Sequence, residues 1–113
     1  MNNFDIYIAY IPWGNSGKTR PVLVYEIRKT VVIVFRITTQ YANKSEFIRR
    51  KYFKIDEWQE AGLTKQSYVD TIAARSISPI ALKGKYKIGK LTKFDKVRFI
   101  LFTRKNTSHG RPN

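Results

Sequence analysis

The first forty residues contain three short runs of β-branched and aromatic side chains, and these runs limit the fold more than any other feature of the chain. Runs of this length and composition are typical of β-strands. They cover residues 5–11, 21–27 and 30–39. Only Arg28 and Lys29 separate the second run from the third, which predicts an antiparallel hairpin. Residues 12–19 begin with proline and contain glycine, so they predict a loop between the first two strands.

The middle of the chain predicts a mixture of loop, strand and helix. Asp56 suits the N-cap of a short helix, Gly62 suits the position after its end, and Trp58 would anchor it in the core. The predicted elements are a basic loop over residues 41–51, strands over 52–55 and 67–74, and the helix over 57–61.

A longer helix is predicted near the end of the chain. Thr92 suits its N-cap, and the helix should run to about residue 104. Four apolar side chains fall on one of its faces, namely Phe94, Val97, Ile100 and Leu101. Residues 106–113 are polar and predict a flexible basic tail after a single domain of residues 1–105.

The composition favours one small cytoplasmic domain. A chain of 113 residues has room for a single modest core. No apolar run approaches the roughly 18 residues that a membrane span needs, and the first residues do not form a signal-peptide pattern. Small secreted domains often depend on disulfides, so the absence of cysteine favours a reducing compartment.

Positive charge is the strongest compositional signal. The chain has 22 Lys and Arg residues against 8 Asp and Glu residues, a net charge of +14 at pH 7. This charge exceeds what a small domain needs for solubility. A polyanion relieves the self-repulsion and releases counterions when it binds, so nucleic acid is the expected partner. A membrane surface or an acidic protein partner remains an alternative.

Common cofactor motifs are absent from the sequence. Gly17-Lys18-Thr19 matches the end of a phosphate-binding P-loop, but Pro12 stands where that motif needs glycine, and a strand follows where it needs a helix. The absence of cysteine and the single histidine, His109, argue against a zinc site and exclude a nuclease with paired histidines. We expect no cofactor, although a carboxylate-bound magnesium ion stays open.

Arg20 is the strongest candidate for contact with a phosphate. Pro21 follows it and fixes the backbone where the predicted loop enters a buried strand. A planar guanidinium at that edge suits bidentate binding of a phosphate. The alternative for Arg20 is a structural ion pair at the end of the strand.

Four segments of the chain together carry a resemblance to a known family. They are Asp5-Ile6 with Lys18-Thr19-Arg20-Pro21-Val22-Leu23-Val24, then Ile37-Thr38-Thr39-Gln40, then residues 56–69, and finally Ile88-Gly89-Lys90-Leu91-Thr92. In these segments, in this order, the chain resembles the MazF/PemK toxins of bacterial toxin–antitoxin pairs. The resemblance covers roughly residues 5–105.

The resemblance implies a mainly β fold with α-helices, a compact SH3-like β-barrel of the CcdB/MazF/PemK type that forms a homodimer. It also implies a metal-independent endoribonuclease that cuts single-stranded RNA, often mRNA, and stops translation until an acidic antitoxin binds it. Gyrase poisons of the CcdB type share this architecture but typically end in an apolar tail, whereas residues 108–113 are polar. The alternative functions are a gyrase poison and a non-catalytic, SH3-like module that binds nucleic acid.

The resemblance also assigns the chemistry to residues. Arg20 matches the catalytic arginine of the family, and Thr38 matches its catalytic Thr/Ser position. Thr39 is one residue further along the strand, so its side chain should point to the opposite face. Asp70 stands near the place of an acidic residue in some members, as a general base or in a structural hydrogen-bonding role.

RNA contacts are expected in the first loop and after the third strand. Trp13 has two possible roles, stacking on an unpaired base or packing over the barrel. The expected RNA-binding residues are Trp13, Asn15, Lys18, Thr19, Thr39 and Gln40. The chain departs from family members at Gly14, Asn15 and Tyr68, where they carry histidine, glutamate and arginine. It also has two extra residues between Asp70 and Arg75.

Overall fold

The computed structural model describes residues 1–13, 16–82 and 86–109 of the chain. Six strands and three helices form within these residues. They are β1 (Asp5–Trp13), β2 (Ser16–Ile27), β3 (Val32–Thr38), α1 (Glu46–Arg49), β4 (Tyr52–Lys54), β5 (Tyr68–Ile77), α2 (Pro79–Leu82), β6 (Lys87–Lys90) and α3 (Lys93–His109). No helix among the described residues has the length and apolar character needed to cross a membrane.

The six strands form one antiparallel sheet in the order β4-β5-β3-β2-β1-β6. The sheet curls into a half-barrel, and α3 follows it at the end of the chain. The prediction of a mainly β fold with a C-terminal helix is therefore confirmed. The predicted hairpin between the second and third strands is also present, with Arg28 N donating to Val31 O across the turn.

The loop predicted over residues 12–19 is wrong over most of its length. β1 continues to Trp13, β2 begins at Ser16, and Pro12 pairs with Gly17. Proline is tolerated at this place because β6 pairs with β1 at residues 5–7, and no strand among the described residues pairs with Pro12 on the side away from β2, so the N–H that proline lacks is not needed there.

The helix predicted over residues 57–61 is also wrong, because residues 56–62 form a series of turns. The backbone N–H groups of Asp56 and Glu57 donate to the carboxylate of Asp95 in α3, at 3.2 and 2.7 Å. A contact with a distant residue therefore replaces the local cap. The prediction that Trp58 anchors this segment agrees with its packing against the main core.

A short helix forms instead within the predicted loop over residues 41–51. In α1, Ser45 Oγ accepts a hydrogen bond from the backbone N–H of Ile48 at 3.3 Å, and Glu46 lies in the first turn. An N-cap followed by an acidic residue is the usual start of a helix.

The final helix begins as predicted but turns a different face to the core. Thr92 Oγ1 accepts from the backbone N–H of Asp95 at 3.3 Å, which confirms the N-cap, and the helix continues to His109 rather than residue 104. Three of the four residues of the predicted apolar face are 51–58% exposed, namely Phe94, Val97 and Leu101. The buried positions are Asp95 and Phe99, which are one helical turn apart.

The two faces of the sheet carry separate apolar clusters. On one face, α3 covers the larger cluster, in which the ring of Phe99 contacts the rings of Phe35 and Phe53. The other face carries a smaller cluster formed largely by Val22, Val24, Val32 and Val34, with Leu82 of α2 against it. This second face continues along β3 and β5 to the polar residues described below.

Two glycines meet where the turn after β4 touches β6. A Cβ atom at Gly89 would lie 2.0 Å from the carbonyl oxygen of Ala61, and a Cβ atom at Gly62 would lie 2.1 Å from that of Ile88. Gly62 also has a φ angle of +94°, a conformation that favours glycine. The contact therefore requires a residue without a side chain at both positions.

We expect Gly89→Ala to lower the free energy of unfolding by at least about 2 kcal/mol, because its methyl group would push apart two backbone segments. Urea unfolding measures the change. Lys90→Ala is the matched control, since Lys90 is exposed on the same strand and should change the stability by less than about 0.5 kcal/mol. Equal stabilities of the two variants would contradict the close contact.

Candidate active site

A row of polar side chains crosses the sheet at the end of the second apolar cluster. Arg36 of β3 pairs with Asp70 of β5, and Asp70 pairs in turn with Tyr52 of β4. Residues directly opposite each other on neighbouring strands present their side chains on the same face. Arg36, Asp70 and Tyr52 therefore lie side by side, and Val22 is opposite Arg36 on the fourth strand of the row.

The three side chains interact with one another. Arg36 Nη2 donates to Asp70 Oδ2 at 2.5 Å, and the phenol of Tyr52 lies close enough to both for their charges to act on its pKa. The second carboxylate oxygen, Asp70 Oδ1, accepts from the backbone N–H of Ile72 at 3.0 Å. Asp70 and Tyr52 are buried, whereas Arg36 is one-third exposed. We call Arg36, Asp70 and Tyr52 the polar triad.

These contacts bear on the two roles that the sequence left open for Asp70. Both of its oxygens already accept hydrogen bonds, from Arg36 and from the backbone of Ile72. In this arrangement the carboxylate holds the Arg36 guanidinium in place and closes a tight turn of β5. A carboxylate has about four lone-pair sites, so these two bonds leave both roles open to Asp70.

Burial raises the pKa of the Tyr52 phenol, and the negative charge of Asp70 raises it further. The positive charge of Arg36 acts in the opposite direction but is the smaller effect. Tyr52 is therefore protonated at neutral pH, so its O–H group is a hydrogen-bond donor inside the triad.

The raised pKa of Tyr52 predicts a loss of stability at alkaline pH. Because the folded state holds the proton more tightly than the unfolded chain, the contribution is complete below about pH 10 and is lost as the pH rises through the folded-state pKa. We expect the free energy of unfolding of the wild type to fall more steeply above pH 10 than that of Tyr52→Phe. Urea unfolding at a series of pH values measures both slopes. Parallel curves for the two proteins would contradict the raised pKa of Tyr52.

Arg20 lies on the same face as the triad. It is two residues before Val22 on β2, and Val22 is opposite Arg36. Partial burial lowers the pKa of Arg20, and the neighbouring charge of Arg36 lowers it further, while Asp70 and Tyr52 oppose the change. The guanidinium remains charged at neutral pH. The pKa of Arg20 therefore responds to the charges of Arg36 and Asp70 on the same face of the sheet.

Thr38 also lies on this face, because it follows Arg36 by two residues on β3. It is buried, and its Oγ1 accepts a hydrogen bond from the backbone N–H of Gln40 at 3.0 Å. A hydroxyl that accepts one bond still has its own hydrogen to donate. Thr39 and Gln40 follow the end of the strand and are exposed.

Two of the predicted RNA-binding residues of the first loop, Lys18 and Thr19, lie on the paired part of β2. Lys18 and Thr19 are exposed on β2, opposite Ile11 and Tyr10. The backbone of Trp13 pairs with Ser16, but the side chain of Trp13 lies outside the described part of the chain, as does Asn15. The predictions for these two residues stay predictions.

A stacked pair of tyrosines lies next to Thr38. Tyr68 is opposite Thr38 in the sheet, and its ring stacks on that of Tyr41 with 4.3 Å between centroids and 7° between planes. The guanidinium of Arg49 lies 5.9 Å from the centroid of Tyr41. Planar rings beside basic side chains are typical of surfaces that bind single-stranded nucleic acid.

Sequence reasoning missed Arg36 and Tyr52. A signal for Arg36 was present, since a charged residue ends the apolar run of β3 two positions before Thr38 and therefore shares its face. Tyr52 has no comparable signal, because its contact with Asp70 depends on the register between β4 and β5.

The fold and the site define a basic half-barrel with a guanidinium-rich polar face. Within the described residues, no three His, Cys, Asp or Glu side chains are grouped so that they could share a metal ion. No model of a known protein family matches the chain, and no curated protein sequence is significantly similar to it.

Proposed function

We propose that the protein is a metal-independent endoribonuclease of the MazF/PemK type with an SH3-like barrel. In this proposal it acts in the cytoplasm as the toxin of a toxin–antitoxin pair. The observation that supports the proposal best is the meeting of Arg20, Thr38 and the polar triad on one face of the sheet. The net charge of +14 supports an anionic substrate.

The proposed reaction uses the ribose 2′-OH of the RNA as the nucleophile. A bond forms between the 2′ oxygen and phosphorus, and the bond from phosphorus to the 5′ oxygen breaks. The products are a 2′,3′-cyclic phosphate and a 5′-OH end. Arg20 would stabilise the negative charge that develops on the phosphate oxygens, and the hydroxyl of Thr38 would donate to one of them.

Two proton transfers accompany this reaction. The 2′-OH must lose a proton, and the leaving 5′ oxygen must gain one. Asp70 remains the candidate base, because each of its oxygens keeps a second lone pair beside the bond from Arg36 or from the backbone of Ile72. Asp70 also positions Arg36 as a second cation beside the phosphate.

The proposed partners are a second copy of the chain and an acidic antitoxin. Phe94, Val97 and Leu101 form an exposed apolar stripe on α3, and a second copy that covered it would remove this surface from water. The excess of positive charge favours an acidic segment as the inhibitor.

The proposal predicts that purified protein cuts a long single-stranded RNA in the presence of EDTA at the same rate as in its absence. Gel analysis of the RNA over time measures the rate. Full inhibition by the chelator, reversed by added Mg²⁺, would contradict the mechanism. Binding of the RNA without any cutting would support the non-catalytic nucleic-acid-binding module instead.

A further inference from the structure

A cavity of about 440 Å³ adjoins the polar triad. The triad forms part of its lining, and the other main contributors are Lys44, Ile48, Ile72 and Arg75. Its volume lies in the range of pockets that bind small organic molecules. The cavity contains Arg36 and Asp70 but neither Arg20 nor Thr38, so it extends the candidate active site to one side.

A wide bulge in β5 brings Arg75 to this cavity. The pairing between β3 and β5 changes from Arg36 opposite Asp70 to Val34 opposite Arg75, so two steps along β3 correspond to five along β5. An uninterrupted register would place Ile72 opposite Val34. The bulge is held by Asp70 Oδ1, which accepts from Ile72 N, and by Lys51 O, which accepts from the backbone N–H and the hydroxyl of Thr71.

Lys44 is held on the other side of the cavity by its backbone. Arg49 Nη1 donates to the carbonyl oxygen of Lys44 at 2.6 Å, and the N–H of Lys44 donates to the carbonyl oxygen of Tyr41 at 3.0 Å. These bonds fix the turn that leads into α1. The ammonium group therefore extends from an ordered segment, which lowers the entropy lost when a ligand binds.

The cavity has an excess of positive charge. Arg36, Lys44 and Arg75 line it with one carboxylate, Asp70, which is already bonded to Arg36. Within the described part of the chain, neither Lys44 nor Arg75 takes part in an ion pair. These two cations are therefore available to an anionic ligand.

The remaining lining is apolar. Ile48 and Ile72 contribute to it, and Ile72 is half exposed although it is a large apolar side chain. An apolar wall beside two available cations suits a ligand with a flat apolar part and an anionic part. A nucleotide has both, in its base and its phosphate.

We propose that this cavity binds one unpaired nucleotide of a single-stranded nucleic acid. The nucleotide lies next to the phosphodiester bond on which Arg20 and Thr38 act in the proposed cleavage. Lys44 and Arg75 bind its phosphate, and Ile48 and Ile72 pack against its base. The placement next to a cleaved bond rests on the proposed function. The nucleotide-binding property itself does not.

The test uses a fluorescent 12-nucleotide single-stranded DNA of random sequence, which lacks the 2′-OH and is not cut by the proposed mechanism. Anisotropy measures its affinity at several salt concentrations. We expect Lys44→Ala and Arg75→Ala each to weaken binding about threefold and to lower the slope of log affinity against log salt by about one. Lys29→Ala removes the same charge in the exposed β2–β3 turn and should leave the slope unchanged.

A second arm tests the base. Ile72→Ser should weaken binding of this DNA at least about fivefold but should not affect an abasic strand of equal length. The proposal would be overturned if the salt slope of Lys44→Ala and of Arg75→Ala equalled that of Lys29→Ala. If free mononucleotides bound tightly and these variants did not change the affinity for the DNA, the proposal that the cavity binds a nucleotide within a strand would be overturned. Because the probe is not cut, a failure of the proposed cleavage would leave this result unaffected.

Discussion

An Arg20→Ala variant is expected to cut RNA at least about 100-fold more slowly than the wild type. Arg20 lies on the face that carries Thr38 and the polar triad, and its guanidinium would meet the charge that develops on the phosphate. Binding of RNA should weaken much less, because the chain has many other basic residues that could contact the RNA backbone. Single-turnover cleavage and anisotropy separate the two effects.

Two further variants sharpen this prediction. Arg20→Lys should restore little activity, because an ammonium group cannot form the two parallel bonds of a guanidinium. Arg28→Ala is the matched control, since Arg28 is exposed just after the same strand and its side chain pairs with Glu26. It should cut RNA at the wild-type rate. A folded Arg20→Ala protein with the native rate would return Arg20 to a structural role.

An Asp95→Ala variant is expected to lose about 3 kcal/mol of unfolding free energy. The Asp95 carboxylate is fully buried and accepts from the backbone N–H groups of Asp56 and Glu57 and from Arg98 Nη1, at 3.2, 2.7 and 2.5 Å. Its removal leaves two backbone donors without acceptors and a guanidinium without its nearest anion. Urea unfolding measures the loss.

Asp56→Ala is the control for this effect. Asp56 also faces Arg98, at 3.6 Å, but its side chain is 40% exposed, so the pair should contribute less than about 1 kcal/mol. An equal loss of stability in Asp95→Ala and Asp56→Ala would contradict the conclusion that the hydrogen bonds from the turn after β4 to Asp95 hold α3 against the sheet.

Local sequence patterns predict those elements that are fixed by contacts between neighbouring residues. The strands over residues 21–27 and 30–39 and the Thr92 cap depend on neighbouring residues, and the structure contains all three within a few residues of the expected bounds. The pattern at Asp56 failed because its turn is capped from Asp95, 39 residues further along the chain. The core-facing side of α3 was missed for a related reason, since a buried aspartate looks like a surface residue in the sequence.

The candidate site was predictable only in part. Arg20 and Thr38 were proposed from the resemblance to the MazF/PemK toxins, and the alternation of side chains along β3 places Arg36 on the same face as Thr38. Tyr52 and Arg75 were not predictable, because one depends on the register of β4 and the other on the bulge of β5. The bulge lies between Asp70 and Arg75, where the sequence departs from the family that it resembles.

The most direct test of the central claim is the cleavage of an RNA with a single 2′-deoxy nucleotide at the cut position. After the cut site is mapped on unmodified RNA, the modified strand and its parent are compared in the same assay. The mechanism predicts that the modified strand binds normally but is not cut there, and that the parent yields 5′-OH ends. Equal cleavage of both strands, or products with 5′-phosphate ends, would contradict the account.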